Sequence, residues 1–331
     1  MSNTKPVSDY MHYEHEPKAT RTKSIPASHE GVQVSGHWRG RGGREDRPPH
    51  YLMKLMLENA AAVASKVVTV ERRYGDARRC GSKTLKQIRM YYYCRTQIGQ
   101  KASPDIQLPG EVKEAIVQSM IASGGKLRNI GEFSLTLCGG VGIGHELSWA
   151  CKLEAYAQII LVWHVATSIC FGKASPDPTN NEDQFNHKVA DSLSKYCAYL
   201  VVFCRGFLPE QNSVTEVIFK RIINETRLIL EGQRSMRNKL DKLMEVGDAP
   251  ETIAEKSGKL GRQLMGLVGD DSLRFRLLRE IWVEIVLYIA PSDNTTAHAQ
   301  HLAEGGEFIT HLWTLLCHLG IFERPTVMVP V

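Results

Sequence analysis

The chain has 331 residues, 43% of them hydrophobic and 23% charged, with a formal net charge of +5. That length and apolar content allow one large or two ordinary domains with a real core, which excludes a wholly disordered chain. Apolar runs such as 159–171 and 281–290 are too short, or too interrupted by Gln158, His164 or Glu284, to cross about 30 Å of hydrocarbon.

Residues 1–50 are polar, charged and rich in Pro and Gly, and read as a disordered tail without the apolar core of a signal peptide. Within them, His37-Trp38-Arg39-Gly40-Arg41-Gly42-Gly43-Arg44 is a short Arg-Gly tract of the kind that contacts RNA. Residues 51–104 read as a basic helical region. From 61 to 101, ten Lys and Arg stand against Glu71 and Asp76, a local net charge of +8, with Tyr91-Tyr92-Tyr93 among them. Lys66, Arg72, Arg73, Arg78 and Arg79 are the candidate contacts to an anionic membrane surface. The bland alternative is a solvated helix docking on the acidic remainder.

A helical domain is expected over 105–323, followed by a tail at 324–331. Glu111 to Val117 has acidic residues in a first turn with apolar ones behind. The glycines of Cys138-Gly139-Gly140-Val141-Gly142-Ile143-Gly144 lack the spacing of a dinucleotide fingerprint, and no G-x-x-x-x-G-K-S/T follows, so no cofactor is implied. His145-Glu146 is not continued into a zincin motif; a loop entering a helix is the simpler reading. That helix is expected to run on through Trp163 to Phe171, with His164 a core histidine, and to end at Gly172 and Pro176. Further helices are predicted from Phe185 to Phe203, from Asn212 to about Met244, and over 251–267.

Leu277, Leu278, Ile281, Trp282, Ile285, Val286 and Ile289 recur at helical steps, with Asp270-Asp271-Ser272 capping the start and Pro291 barring continuation. Arg276, Glu280 and Glu284 stand four apart, so Glu284 is read as part of a solvated charge row. After a polar turn, a second apolar helix carries Phe308, Leu312 and Trp313 and closes at Gly320, where glycine most readily takes a left-handed backbone. The two tryptophan-bearing helices are expected to bury against each other. With no strand-like alternation of useful length, the fold class is all-α: an irregular multi-helix bundle ending in a helical hairpin.

The eight cysteines are scattered without a C-x-x-C pair and read as reduced thiols packed as small hydrophobes. His298 and His301 share a helix turn, with Glu304, Glu307 and His311 continuing the register; His298, His301 and Glu307 are the candidate metal ligands. Against this, Gly305-Gly306 breaks the register, and the histidines would then cross-link the hairpin by hydrogen bonds.

Taken together, Glu111 to Val117, Trp163-His164-Val165-Ala166-Thr167, Leu193-Ser194-Lys195-Tyr196 with Tyr199-Leu200, and Trp282-Val283-Glu284, His298 to Leu302, Gly305 to Phe308 and Trp313 resemble the plant family catalogued as domain of unknown function 594. The resemblance covers about 105–323 and implies fold kinship and a plant source, with no activity. Such chains usually carry a multi-pass membrane half, domain of unknown function 4220, ahead of this region. Residues 1–60 here show no such helices, and the basic segment stands where that chain would leave the membrane. The leading reading is a non-catalytic, cytoplasmic interaction module, peripheral at a membrane or on an unidentified protein partner. The alternatives are a metal-dependent enzyme using His298, His301 and Glu307, and an RNA-associated protein working through the Arg-Gly tract.

Overall fold

The computed structural model describes residues 84–87, 103–136, 141–233, 235–245, 247, 249–292, 294–303 and 306–325. The Arg-Gly tract, Lys66, Arg72, Arg73, Arg78, Arg79 and Glu304 lie outside them. In chain order there are two strands, β1 (Thr84–Gln87) and β2 (Ser103–Gln107). Ten helices follow among the described residues: α1 (Gly110–Ala122), α2 (Val141–Leu147), α3 (Tyr156–Lys173), α4 (Asn181–Phe203), α5 (Asn212–Ile229), α6 (Met236–Met244), α7 (Ile253–Leu267), α8 (Asp271–Ile289), α9 (Thr295–Ala303) and α10 (Phe308–His318). The all-helical expectation holds. The unforeseen strands form one antiparallel ladder, Leu85 opposite Ile106, laid on α4 with Leu85 fully buried.

The centre is α3, apolar on every side, as a helix surrounded by others must be. It packs against α7, α4 and α5. Close approach to α7 depends on Gly261, where a Cβ would stand 2.7 Å from Ile169 Cδ1. The other principal pair is α4 with α8, and α1 lies on both.

Several helix boundaries differ from the sequence reading, each for a local reason. The helix expected to run from His145 to Phe171 is broken: α2 gives way to a 3-10 turn at Ser148–Cys151, and α3 starts afresh at Tyr156 after the extended Ala155. The long helix expected over 212–244 is two, because Gly232 takes φ 80° and Ser235 caps α6 by accepting from Asn238 N at 3.1 Å. Conversely, the polar turn expected after Pro291 contains the helix α9. Asp270 does cap α8, and a Thr252–Glu255 capping box starts α7. Gly320 ends α10 at φ 77°, with Ile321 N donating to Leu316 O at 2.9 Å.

The terminal helices do not make the interface expected. The principal partner of α8 is α4, while α10 pairs with α9. Trp282 is completely buried in the α8 face and donates its indole N–H to Thr167 Oγ1 at 3.0 Å. Trp313 is only half-buried and lies on His298.

The charge row on α8 is overturned. Arg276 is exposed, but Glu280 and Glu284 are buried, 7% and 2% exposed. Because α8 packs on α4 and α1, the part of its charge row at Glu280 and Glu284 faces protein instead of water. Glu280 is held by Arg279. Glu284 is held by a loop described below.

Candidate functional site

The densest imidazole and aromatic cluster lies where α9, α10 and the 3-10 turn Arg205–Phe207 meet. Asn294 starts α9 by accepting from Ala297 N at 3.1 Å, and its amide donates to Gly206 O at 3.2 Å. One turn on, His298 is completely buried. Its ring lies parallel to the Trp313 indole, centroids 4.4 Å apart and planes 5° apart, and Phe207 covers it at 4.7 Å. Its Nδ1 is 3.2 Å from Thr310 Oγ1. The Nε2 atom is buried with no partner among the described residues. The His301 ring lies against the same Phe207 at 4.8 Å, tilted by 48°.

Burial, helped by the nearby His301, lowers the His298 pKa to about 4. The ring is therefore neutral at neutral pH, and protonating it would place a cation among aromatic rings. Because the folded value lies below the ordinary 6.5, the stabilisation is complete above about pH 6.5 and is lost as pH falls through about 4. Chemical denaturation at pH 7 and near pH 4.5 should show native protein losing on the order of 1 to 2 kcal/mol more than His298→Phe. Equal losses would contradict the placement. Glu284 and Glu210, raised by burial, titrate in the opposite sense in both proteins, so the difference isolates the imidazole.

Glu307 is buried but turned elsewhere. It stands at the N-cap of α10 without capping it through its side chain. Its Oε1 accepts from Lys86 Nζ on β1 at 2.6 Å and from the Tyr199 hydroxyl on α4 at 3.4 Å. Gly306, at φ 79°, turns the chain between α9 and α10, so the spacing that continues from His298 in the sequence does not continue in space. Among the described residues, no group of three or more His, Cys, Asp and Glu is gathered where it could hold a metal ion. The histidines instead cross-link α9, α10 and the 205–207 turn.

Beside this cluster opens a cleft of about 400 Å3, lined by Cys204, Arg205, Phe207, Asn212, Gln300 and His301 among others. Its reactive-looking groups are engaged. Arg205 donates to Val201 O at 3.3 Å and to Glu216 at 3.1 Å. The Cys204 thiol donates to the Tyr199 hydroxyl at 3.6 Å. The other described cysteines form no disulfide, and burial raises the Cys170 thiol to about 12. That value makes it a packing group, since the thiolate is the reactive form.

Elsewhere, buried polar groups tie one helix to another. His164 meets Ser194 Oγ at 2.8 Å, and Thr167 receives Trp282. Tyr196 Oη accepts from Ile309 N at 2.8 Å and so caps α10. The motifs singled out in the sequence thus touch one another. Carboxylates do similar work that sequence reasoning missed. Glu284 accepts from Gly131 N (3.0 Å), Phe133 N (2.7 Å), Ser134 N (3.2 Å) and Ser134 Oγ (2.6 Å). Burial pushes its pKa above the ordinary carboxylate value, opposed by these hydrogen bonds. Glu210 accepts from Ala157 N at 2.6 Å at the start of α3, and Glu225 from Ala254 N at 3.0 Å at the start of α7. A carboxylate there satisfies amides the helix leaves unpaired and meets the positive end of its dipole. Arg274, 2% exposed, does the converse at the far end of α7, donating to Leu264 O at 3.0 Å and to Val268 O. One signal was available for Glu284: of its neighbours one turn away, Ile281, Leu287 and Tyr288 are apolar and only Glu280 is charged, so the charge row runs into an apolar surface at this position.

These features define a helical bundle whose interior polar groups join its helices and whose carboxyl-terminal α8–α10 segment is tied in by Trp282, Tyr196 and His298. Residues 268–321 match the family model described as "Protein of unknown function, DUF594". That match covers the terminal helices, a shorter stretch than the 105–323 range suggested by the motifs. No curated protein and no solved structure matches it.

Proposed function

We propose that the chain is a non-catalytic helical interaction module that meets its partner through the outer face of α5 and the first turn of α6. The observation that carries this reading is where large apolar side chains are left in water. Of the six exposed ones among the described residues, four fall on this stretch: Val214, Val217, Leu228 and Met236. Val214, Val217, Arg221, Asn224 and Leu228 follow steps of three and four, so they form one stripe along α5. Scattered apolar residues are ordinary on a surface, whereas a contiguous set marks a contact. The engagement of Glu284, Glu307, His164 and Arg274 in bonds within the chain supports a structural interior instead of a reaction centre.

The test is native size separation and fractionation of cell extracts containing the full chain. It should migrate with a larger assembly or with membranes, and Val217→Asn/Leu228→Asn should release it as a monomer while its unfolding midpoint stays within about 0.5 kcal/mol of native stability. A native chain that migrates as a free monomer, or a double variant that stays associated as the native does, would overturn the reading.

A further inference from the structure

We infer that this α5–α6 face is a contact surface for anionic lipid headgroups, an assignment of partner that rests on the interaction-module reading above. The first support is uncompensated charge. Arg221, Arg227 and Arg237 are exposed and have no ion-pair partner among the described residues. The acidic residues around them are mostly engaged. Glu216 pairs with Lys220 at 2.6 Å and with Arg205 at 3.1 Å. Glu225 accepts from Ala254 N, Asp241 pairs with Lys173, and Glu245 pairs with Lys242 at 2.8 Å. Only Glu231, just past the end of α5, stands exposed without a partner among the described residues. Arg221 therefore stands within the apolar stripe of α5, Arg227 lies on its flank next to Leu228, and Arg237 follows Met236 in the first turn of α6. Guanidinium geometry matches phosphate oxygens in pairs.

The second support is the kind of apolar group present. The stretch 212–245 contains one aromatic residue, Phe219, and it is 5% exposed. A stable protein partner is held by buried aromatic anchors and covers roughly 800 Å2 on each side. Small aliphatic tips in a row along a helix are poor anchors of that kind. At the headgroup boundary of a bilayer, aliphatic side chains such as Leu228 enter shallowly while basic ones stay at phosphate level, and it is this pairing of guanidinium with phosphate that favours lipid. A second copy of the chain is disfavoured because like charge would meet like. Residues 61–101, with ten basic against two acidic residues, carry the same sign. No described helix is long and apolar enough to cross a membrane, so the contact is peripheral.

Flotation of the full chain with vesicles of phosphatidylcholine alone, or with about one third phosphatidylserine, tests this. Each arginine at an anionic surface is worth roughly a fivefold gain in partition, so Arg221→Gln/Arg227→Gln/Arg237→Gln should weaken binding to the anionic vesicles on the order of a hundredfold. Added salt should weaken the native chain toward the triple variant. Val217→Asn/Leu228→Asn, which leaves the arginines in place, should reduce binding less and leave more of the salt dependence. Urea unfolding of each variant confirms that the fold is intact. The lipid assignment is overturned if the native chain ignores anionic vesicles, if the triple variant binds them as well as native, or if only an acidic helical peptide binds this face. Failure with vesicles, beside release of the Val217→Asn/Leu228→Asn variant from its assembly in extracts, would reject lipid as the partner while leaving the module reading intact.

Discussion

Glu284→Ala is expected to lower the unfolding free energy by about 4 kcal/mol, and Glu284→Gln by about 3. The side chain collects three backbone amides and one hydroxyl from residues 131–134. Those amides belong to a non-helical stretch, and the carboxylate is what satisfies them. Alanine leaves all four donors without an acceptor in a site that water hardly reaches. Glutamine keeps the shape but turns an NH2 group toward N–H donors, exchanging an attraction for a clash of like polarity. Ser134→Ala removes one donor and leaves the acceptor with three others, so it should cost about 1 kcal/mol. Urea denaturation reads this as a shift in midpoint at unchanged slope. Equal, small losses for all three substitutions would mean that the loop does not depend on Glu284.

The second large effect separates the two tryptophans. Trp282→Ala should cost about 4 kcal/mol, because it empties a fully enclosed site between α8 and α3 and strands the Thr167 hydroxyl. Trp313→Ala should cost about half that, since the indole is partly solvated and contributes mainly its stacking on His298. Comparison of the two unfolding midpoints decides between this packing and a hairpin in which both rings share one interface. Equal losses would favour the hairpin.

The fold was legible in the sequence wherever a helix carries one apolar face and a local stop. Asp270 at the start of α8, Gly320 past α10, and the steps of Leu277, Ile281 and Ile285 all depend on neighbours within a few residues. What could not be read are the long-range pairings. Nothing near Glu284 in the chain announces the amides of Gly131 and Phe133, about 150 residues away, and an i, i+4 spacing alone cannot say whether a stripe faces water or another helix. The same holds for Glu307. Its spacing from His301 suggested shared chemistry, yet a left-handed Gly306 and the arrival of Lys86 from β1 send its carboxylate to a different neighbour. His298 was legible halfway: cross-linking by hydrogen bonds was among the readings, while its burial against Phe207 comes from a turn some ninety residues earlier.

Glu284, Glu210, Glu225 and Arg274 tie the bundle together by binding backbone groups, and this is tested most directly by amide hydrogen exchange at Gly131, Phe133 and Ser134. In the native chain these amides should exchange slowly, and Glu284→Gln should accelerate them far more than the amides of α3, whose bonds are internal to the helix. Rapid exchange at all three in the native protein, or unchanged protection in the variant, would contradict the account.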